Sequence, residues 1–151
     1  MKVESVNKTL EKSFREYWWR PALSNYKGDT VNYAMMAERI EIIHTIFERY
    51  GLKRGERVAI CGRNQVNWAV SFLGALTYGA VPVPLLHEFN PESIVGLVAH
   101  SEARVLFVDD TIWTKLDHEA LKGLDAVVRL SDLDFLMACD SELGDLRAAV
   151  I

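Results

Sequence analysis

The sequence predicts an α/β domain: a mostly parallel sheet covered by helices on both faces, preceded by an N-terminal helix and a short hairpin. Three observations carry this. Short apolar runs bounded by turn residues recur about every 20 to 25 residues, as strands of a parallel sheet do. Stripes of helical period lie between them. Half of the 151 residues are hydrophobic and 25% are charged, enough apolar matter for one buried core and too little charge for a disordered chain.

The elements follow in order. Leu10 to Arg20 carries Leu10, Phe14, Tyr17 and Trp18 at helical spacing, and Arg20-Pro21 ends that helix because Pro restricts the residue before it. Ala22 to Tyr26 and Thr30 to Tyr33 flank Lys27-Gly28-Asp29, a glycine turn of a hairpin. Met36, Ile40, Ile43, Phe47 and Tyr50 form one helical stripe, with Asn32 as N-cap and Gly51-Leu52 as the stop. Arg57 to Cys61 reads as a buried parallel strand. Asn64 is placed to cap a helix bearing Trp68, Phe72 and Ala75 on one face, closed by Gly79. Ala80 to Leu85 is a strand whose Pro82 and Pro84 restrict it to a sheet edge or a strand end. Asn90-Pro91-Glu92 opens the next helix, which buries Ile94, Leu97 and Val98. Arg104 to Val108 is the third strand of the sheet. Asp110 is placed to cap a helix with Ile112, Trp113 and Leu116, and Ala126 to Leu130 is the fourth strand. From Ser131 the pattern weakens into short apolar pieces: Leu133, Phe135 to Ala138, and Leu146 to Ile151.

Composition excludes some partners. A net charge of -4 with basic residues dispersed among acids gives no platform for nucleic acid. No apolar stretch approaches the ~20 residues of a membrane span, and the polar first ten residues do not resemble a signal peptide. A cytoplasmic location is the expectation. Cys61 and Cys139 lack metal-ligand spacing, and Cys61, ending an apolar run, is expected to be buried.

In an open α/β sheet, ligands bind beyond the carboxyl ends of the strands. The residues there are Gly62-Arg63-Asn64, His87-Glu88-Phe89, Asp109-Asp110 and Ser131-Asp132. Gly62 stands alone, so the G-x-G-x-x-G dinucleotide loop is absent, as is the P-loop. Asp109-Asp110 could hold Mg²⁺ in a receiver-like domain, with capping by Asp110 as the plainer reading. Of His44, His87, His100 and His118, only His87 lies on a strand-end loop. Ser24 and Thr77 would need a base in reach to act as nucleophiles. The Trp18-Trp19 pair reads as core with inter-domain contact. No catalytic, cofactor-binding or metal-ligating residue is assigned.

Several blocks resemble the opening of the adenylate-forming, AMP-binding acyl-CoA synthetases. Pro21-Ala22-Leu23 followed by Gly28 to Tyr33 is similar to that family's "RPAL", hairpin and "T-Y-x-E-L" helix start. Gly51 to Ile60 resembles "G-(V/L)-K-x-G-D-R-V-A-I", Asn64 to Trp68 "N-x-x-E-W", and Leu76 to Leu85 "L-K-A-G-A-V-x-V-P-L". Ile94 to Asp109 resembles "I-x-x-x-L-x-x-S-x-A-K-V-L-F-V". Asn32 and Met35 stand where the family prefers Thr and Glu, so the capping box is lost. Asn67 stands where Glu is common, and Pro82 replaces a bulkier residue. The Phe89-Asn90-Pro91 loop and the aromatic-rich helix are most similar to long-chain fatty acid–CoA ligases.

The resemblance implies residues 1-151 as the first subdomain of the adenylate-forming enzyme fold, truncated before the phosphate-binding loop. It implies a parent enzyme that converts a carboxylate and ATP into an acyl-adenylate and pyrophosphate, then forms a thioester with coenzyme A. ATP, Mg²⁺ and coenzyme A are then cofactors of the full-length enzyme, and none is expected on this piece, which alone is expected to be inactive. Its expected partners are the remainder of its own chain, a fatty acid or other carboxylate, and a second copy. Two alternatives stand beside this: an adenylation domain that delivers acyl groups to a carrier protein, and a free-standing flavodoxin-like or receiver-like binding domain.

Overall fold

A computed structural model describes residues 4–139. Five strands form the main sheet: β3 (Arg57–Cys61), β4 (Val81–Leu85), β5 (Val105–Val108), β6 (Ala126–Arg129) and β7 (Phe135–Ala138). Their order is β4-β3-β5-β6-β7. The first four are parallel; β7 returns antiparallel to β6. A separate hairpin pairs β1 (Pro21–Ser24) with β2 (Thr30–Asn32).

Strands β3, β5 and β6 are buried on both faces because alternate residues feed two cores. Val58, Ile60, Val105, Phe107 and Val128 pack under α2 (Tyr33–Arg49) and α3 (Val66–Tyr78). Ala59, Cys61, Leu106, Val108 and Val127 pack under α4 (Pro91–Ser101) and α5 (Asp110–Trp113), with Leu116, Leu121 and Leu124 completing that layer. This is the period-2 pattern of a sheet covered on both faces.

Caps explain the helix limits. The Asn32 side chain accepts from the Met35 amide at 2.8 Å, so it caps α2 without the missing Glu partner. At the other end Gly51 takes φ +63°, and the Leu52 amide reaches the Phe47 carbonyl at 2.9 Å, the Schellman closure. Asn90 caps α4 through the Ser93 amide at 2.8 Å, with Pro91 in the first helical position. Strand β4 lies at the sheet edge, where the N–H groups missing at Pro82 and Pro84 leave no central ladder broken.

The structure differs from the sequence reading at six points. Helix α1 runs Val6–Tyr17, capped by Ser5; it ends before Trp18 and buries no residue fully. Trp18 and Trp19 are 42% and 78% exposed, so the pair is not core. Asn64 does not cap α3: the position is Gln65, without a side-chain cap bond, and the Val66 amide is satisfied by Asn25 Oδ1 from the hairpin turn at 2.8 Å. The buried face of α3 is Val66, Asn67, Val70, Ser71, Gly74 and Ala75, while Trp68 and Phe72 stack on each other at its half-buried margin. Asp110 is the first residue of α5 and Asp109 its cap position, with no side-chain cap bond. The piece Phe135 to Ala138 is a strand. Leu146 to Ile151 lies outside the described residues.

At the amino ends of β3 and β5, Arg104 ties four segments together. Its guanidinium donates to Asp125 Oδ2 at 2.6 to 2.7 Å, to Glu56 Oε2 at 2.7 Å, and to the Tyr50 and Gly51 carbonyls at 2.6 and 3.2 Å. The Lys53 amide bond first, and then Arg104, hold the Glu56 carboxyl below its usual range. Because the folded value is the depressed one, Glu56 contributes its stability above its ordinary value near 4.5 and loses it as pH falls through the folded value. The acid limb of a denaturation curve is therefore expected to soften below about pH 4.5 in Glu56→Gln, which has no charge to lose. An unchanged acid limb in that variant would contradict the assignment.

Candidate functional site

The connections from β3 and β5 leave the sheet on opposite faces, β3 to α3 on one and β5 to α5 on the other. Adjacent strands that diverge in this way open a crevice at their carboxyl ends, the ligand position of open α/β sheets. Gly62 to Gln65 and Asp109 to Asp110 border it.

Here the crevice is closed by its own residues. Asp109 Oδ2 accepts the Arg63 backbone N–H at 2.8 Å, and Oδ1 accepts Gln65 Nε2 at 2.7 Å. Both carboxylate oxygens thus latch the β3–α3 loop onto the end of β5. Gly62 permits this approach: a Cβ there would lie 2.4 Å from Leu130 Cδ1 and 3.0 Å from Asp109 Cγ and Oδ2. Leu130 is fully buried, so it has little room to retreat. Gly62→Ala is expected to destabilise the domain by about 1–3 kcal/mol, the range for overpacking, read from urea midpoints. A midpoint equal to wild type would show that Leu130 moves freely.

The neighbouring acids are also engaged. Arg129 donates to Asp132 Oδ1 at 3.0 Å, contacts Asp110 Oδ1 at 3.4 Å, and lies 3.7 Å from Asp134. The bond to Asp132 and the adjacent negative charge raise Arg129 above its ordinary value. Burial pushes the Asp132 carboxyl up, but the Arg129 bond and the Asp134 amide outweigh it and leave Asp132 below the usual range. Asp109 and Asp110 therefore serve different partners. Among the described residues no group of three His, Cys, Asp or Glu side chains could hold a metal ion.

The remaining candidates are dispersed. His87 is exposed on the β4–α4 loop. Ser24 shares a 2.7 Å hydrogen bond with Thr30 across the hairpin. Thr77 has an imidazole in reach, which the sequence did not show: His44 Nε2 lies 3.1 Å from Thr77 Oγ1 and 3.0 Å from the Gly74 carbonyl. That carbonyl can only accept, so Nε2 carries a proton, while the Thr77 hydroxyl donates to the Leu73 carbonyl at 2.7 Å. The pair is a bridge between α2 and α3 and has no free base on its hydroxyl side.

Cys61 is buried as expected. Desolvation, with the Asp109 charge, pushes its thiol up to about 11. Alkylation by iodoacetamide at pH 8 is expected to modify the exposed Cys139 and spare Cys61 until the chain unfolds. Rapid labelling of Cys61 in the native state would contradict this.

The residues at the carboxyl edge thus hold one another in place. The lone Gly62 is packed against Leu130, and the acids that face the crevice are spent on the loop and on Arg129.

Known proteins place this scaffold. Residues 10–146 match the family model described as AMP-binding enzyme. The chain belongs to that family. It is 28% identical over 110 residues to fatty acyl-CoA synthetase A of Dictyostelium discoideum, covering 71% of this chain and 16% of that protein. It is 26% identical over 112 residues to the hybrid PKS-NRPS synthetase prlS of a fungal species (strain NRRL 50135), covering 74% of this chain and 3% of the relative. A crystallised benzoate CoA ligase from Burkholderia xenovorans LB400 superimposes with a TM-score of 0.73 at 22% identity, over 84% of this chain and 26% of the ligase. The fold is that of the N-terminal subdomain of adenylate-forming enzymes. The chain spans about a sixth or less of the length of these two curated relatives. Among the described residues no helix is long and apolar enough to cross a membrane.

Proposed function

We propose that residues 1–151 are the structural opening of an ATP-dependent ligase that activates a carboxylic acid as its acyl-adenylate and transfers the acyl group to coenzyme A. The acid is a fatty acid, of long chain by the resemblance of the Phe89-Asn90-Pro91 loop, and the setting is the cytoplasm. The observation that carries this reading is the family match over residues 10–146, on a sheet whose carboxyl-edge groups are latched to each other. In this reading ATP, Mg²⁺ and coenzyme A are held by chain beyond these residues. What this chain supplies is a rigid sheet and the anchored loops on which such a site is mounted. No step of the reaction is assigned to a side chain described here.

The 151-residue chain is expected to release no pyrophosphate from ATP with fatty acids of any length. A polypeptide extending it through the downstream reading frame is expected to do so, and to form acyl-CoA. Pyrophosphate release by the short chain would overturn the division of labour. Absence of adenylation by the extended polypeptide across fatty, aromatic and amino acids would overturn the function.

The relative described as a hybrid PKS-NRPS synthetase supports a second acceptor, a carrier protein. Supplying the extended polypeptide with coenzyme A or with a phosphopantetheinylated carrier protein distinguishes the two by which thioester forms.

A further inference from the structure

The turn between β1 and β2 folds over the carboxyl edge of the sheet and encloses a cavity of about 90 Å³. Its walls include Asn25, Asp29, Arg39, Gln65, Asn67 and Ser131. One water centre needs only ~10–15 Å³, so the space admits a small polyatomic ligand in place of several waters.

Arg39 sets the character of this space. It reaches from α2 to donate from Nη1 to Asn67 Oδ1 at 2.8 Å, and that partner is a neutral amide. The other two half-buried arginines among the described residues are neutralised by carboxylates. Arg104 pairs with Glu56 and Asp125, and Arg129 with Asp110, Asp132 and Asp134. Arg39 has no carboxylate within 4.0 Å among the described residues. A half-buried guanidinium with a neutral partner keeps most of its field, because water screens it less than an exposed charge. Asp29 shares the cavity, but it is exposed on the turn and lies two residues from Lys27. Its charge is screened by solvent, so it weakens the positive potential of the cavity without cancelling it.

We propose that this cavity is an oxyanion site, taking a carboxylate or a phosphate group against the remaining N–H donors of Arg39. Asn25 and Ser131, each carrying a side-chain donor, line the same space. A planar arginine fork matches both anions and holds them through paired charge-assisted bonds. The site goes beyond the adenylation reading and does not rest on it; Gln65 joins the two places, holding the Asp109 latch with its amide nitrogen and lining the cavity.

The test follows backbone amide shifts of the isotope-labelled chain during titration with sodium acetate and, separately, inorganic phosphate at constant ionic strength. Saturable shifts in the millimolar range are expected at Asn25, at Gln65 to Asn67 and at Ser131. Arg39→Gln is expected to weaken them at least ~tenfold, the loss of one charge-assisted contact. Asp29→Asn is expected to strengthen them several-fold. This variant removes no donor, so it decides the matter even where Arg39→Gln disturbs the fold. Tighter phosphate assigns a phosphate-bearing ligand; tighter acetate assigns a carboxylate. Shifts that do not saturate, that persist undiminished in a folded Arg39→Gln chain, that spread over surface lysines, or that fail to grow in Asp29→Asn overturn the site.

Discussion

Asn67→Asp is expected to destabilise the domain by about 2–4 kcal/mol, although it exchanges only NH₂ for O⁻. Asn67 is 7% exposed and works in both directions. Its Oδ1 accepts from Arg39, and its Nδ2 donates to the Leu130 carbonyl at 2.7 Å and approaches the Ser131 carbonyl at 3.2 Å. A carboxylate would keep the first bond and strengthen it by charge. It would also turn an oxygen toward two carbonyl oxygens and leave both without their donor inside the protein. An unmade buried hydrogen bond costs about 1–3 kcal/mol per group, more where the group is charged. The new ion pair at half-buried Arg39 returns a part of that. The expected sign is therefore loss, read as a lower urea midpoint at unchanged m. Acidification through the Asp range should restore part of the stability by protonating the new acid. A midpoint at or above wild type would mean that the ion pair outweighs both carbonyls. In that case Glu, common at this position in the resembling family, would be tolerated as well.

The same residue shows where the sequence could be read and where it could not. The departure from Glu at position 67 was visible, and so was the helix that carries it. That the amide looks back at the end of β6 was not, because the contact spans more than sixty residues and has no local pattern. The strands were legible for a physical reason: a strand buried on both faces must be apolar throughout, as Val105–Val108 is. Proline limited β4 to a sheet edge or a strand end for an equally local reason, and the edge is where it lies. The reading of Asn64 and Asp110 as caps failed because capping residues compete. Asn25, from a distant turn, took the α3 amide, and Asp109 turned away from its own helix to latch the loop after β3. Strand β7 was missed because four apolar residues in a row beside Asp134 carry no period of their own; pairing with β6 makes them a strand. At the carboxyl edge, sequence supplied the list of candidates, and only the distances showed that they satisfy each other.

Arg104→Met should show the second large effect, about 2–3 kcal/mol, and it tests the opposite end of the sheet. A methionine fills much of the same length, so the lost packing is small. What disappears is the only guanidinium among the described residues that joins Glu56, Asp125 and the carbonyls of Tyr50 and Gly51. Asp125 and Glu56 are 25% and 36% exposed at their side chains, so water reaches both and limits the penalty below that of a sealed ion pair. Arg104→Lys is expected to recover less than half of the loss. An ammonium is a point charge with three donors and cannot span a carboxylate pair and two carbonyls set around a planar fork. The variant carries a second readout. Without Arg104, Glu56 keeps the Lys53 amide, the larger cause of its depressed value, and loses the next one. Its acid limb should therefore move toward, but not reach, the ordinary carboxylate range. A stability loss with no movement of that limb would assign Arg104 to packing alone. Movement with no loss would show that water replaces the guanidinium completely.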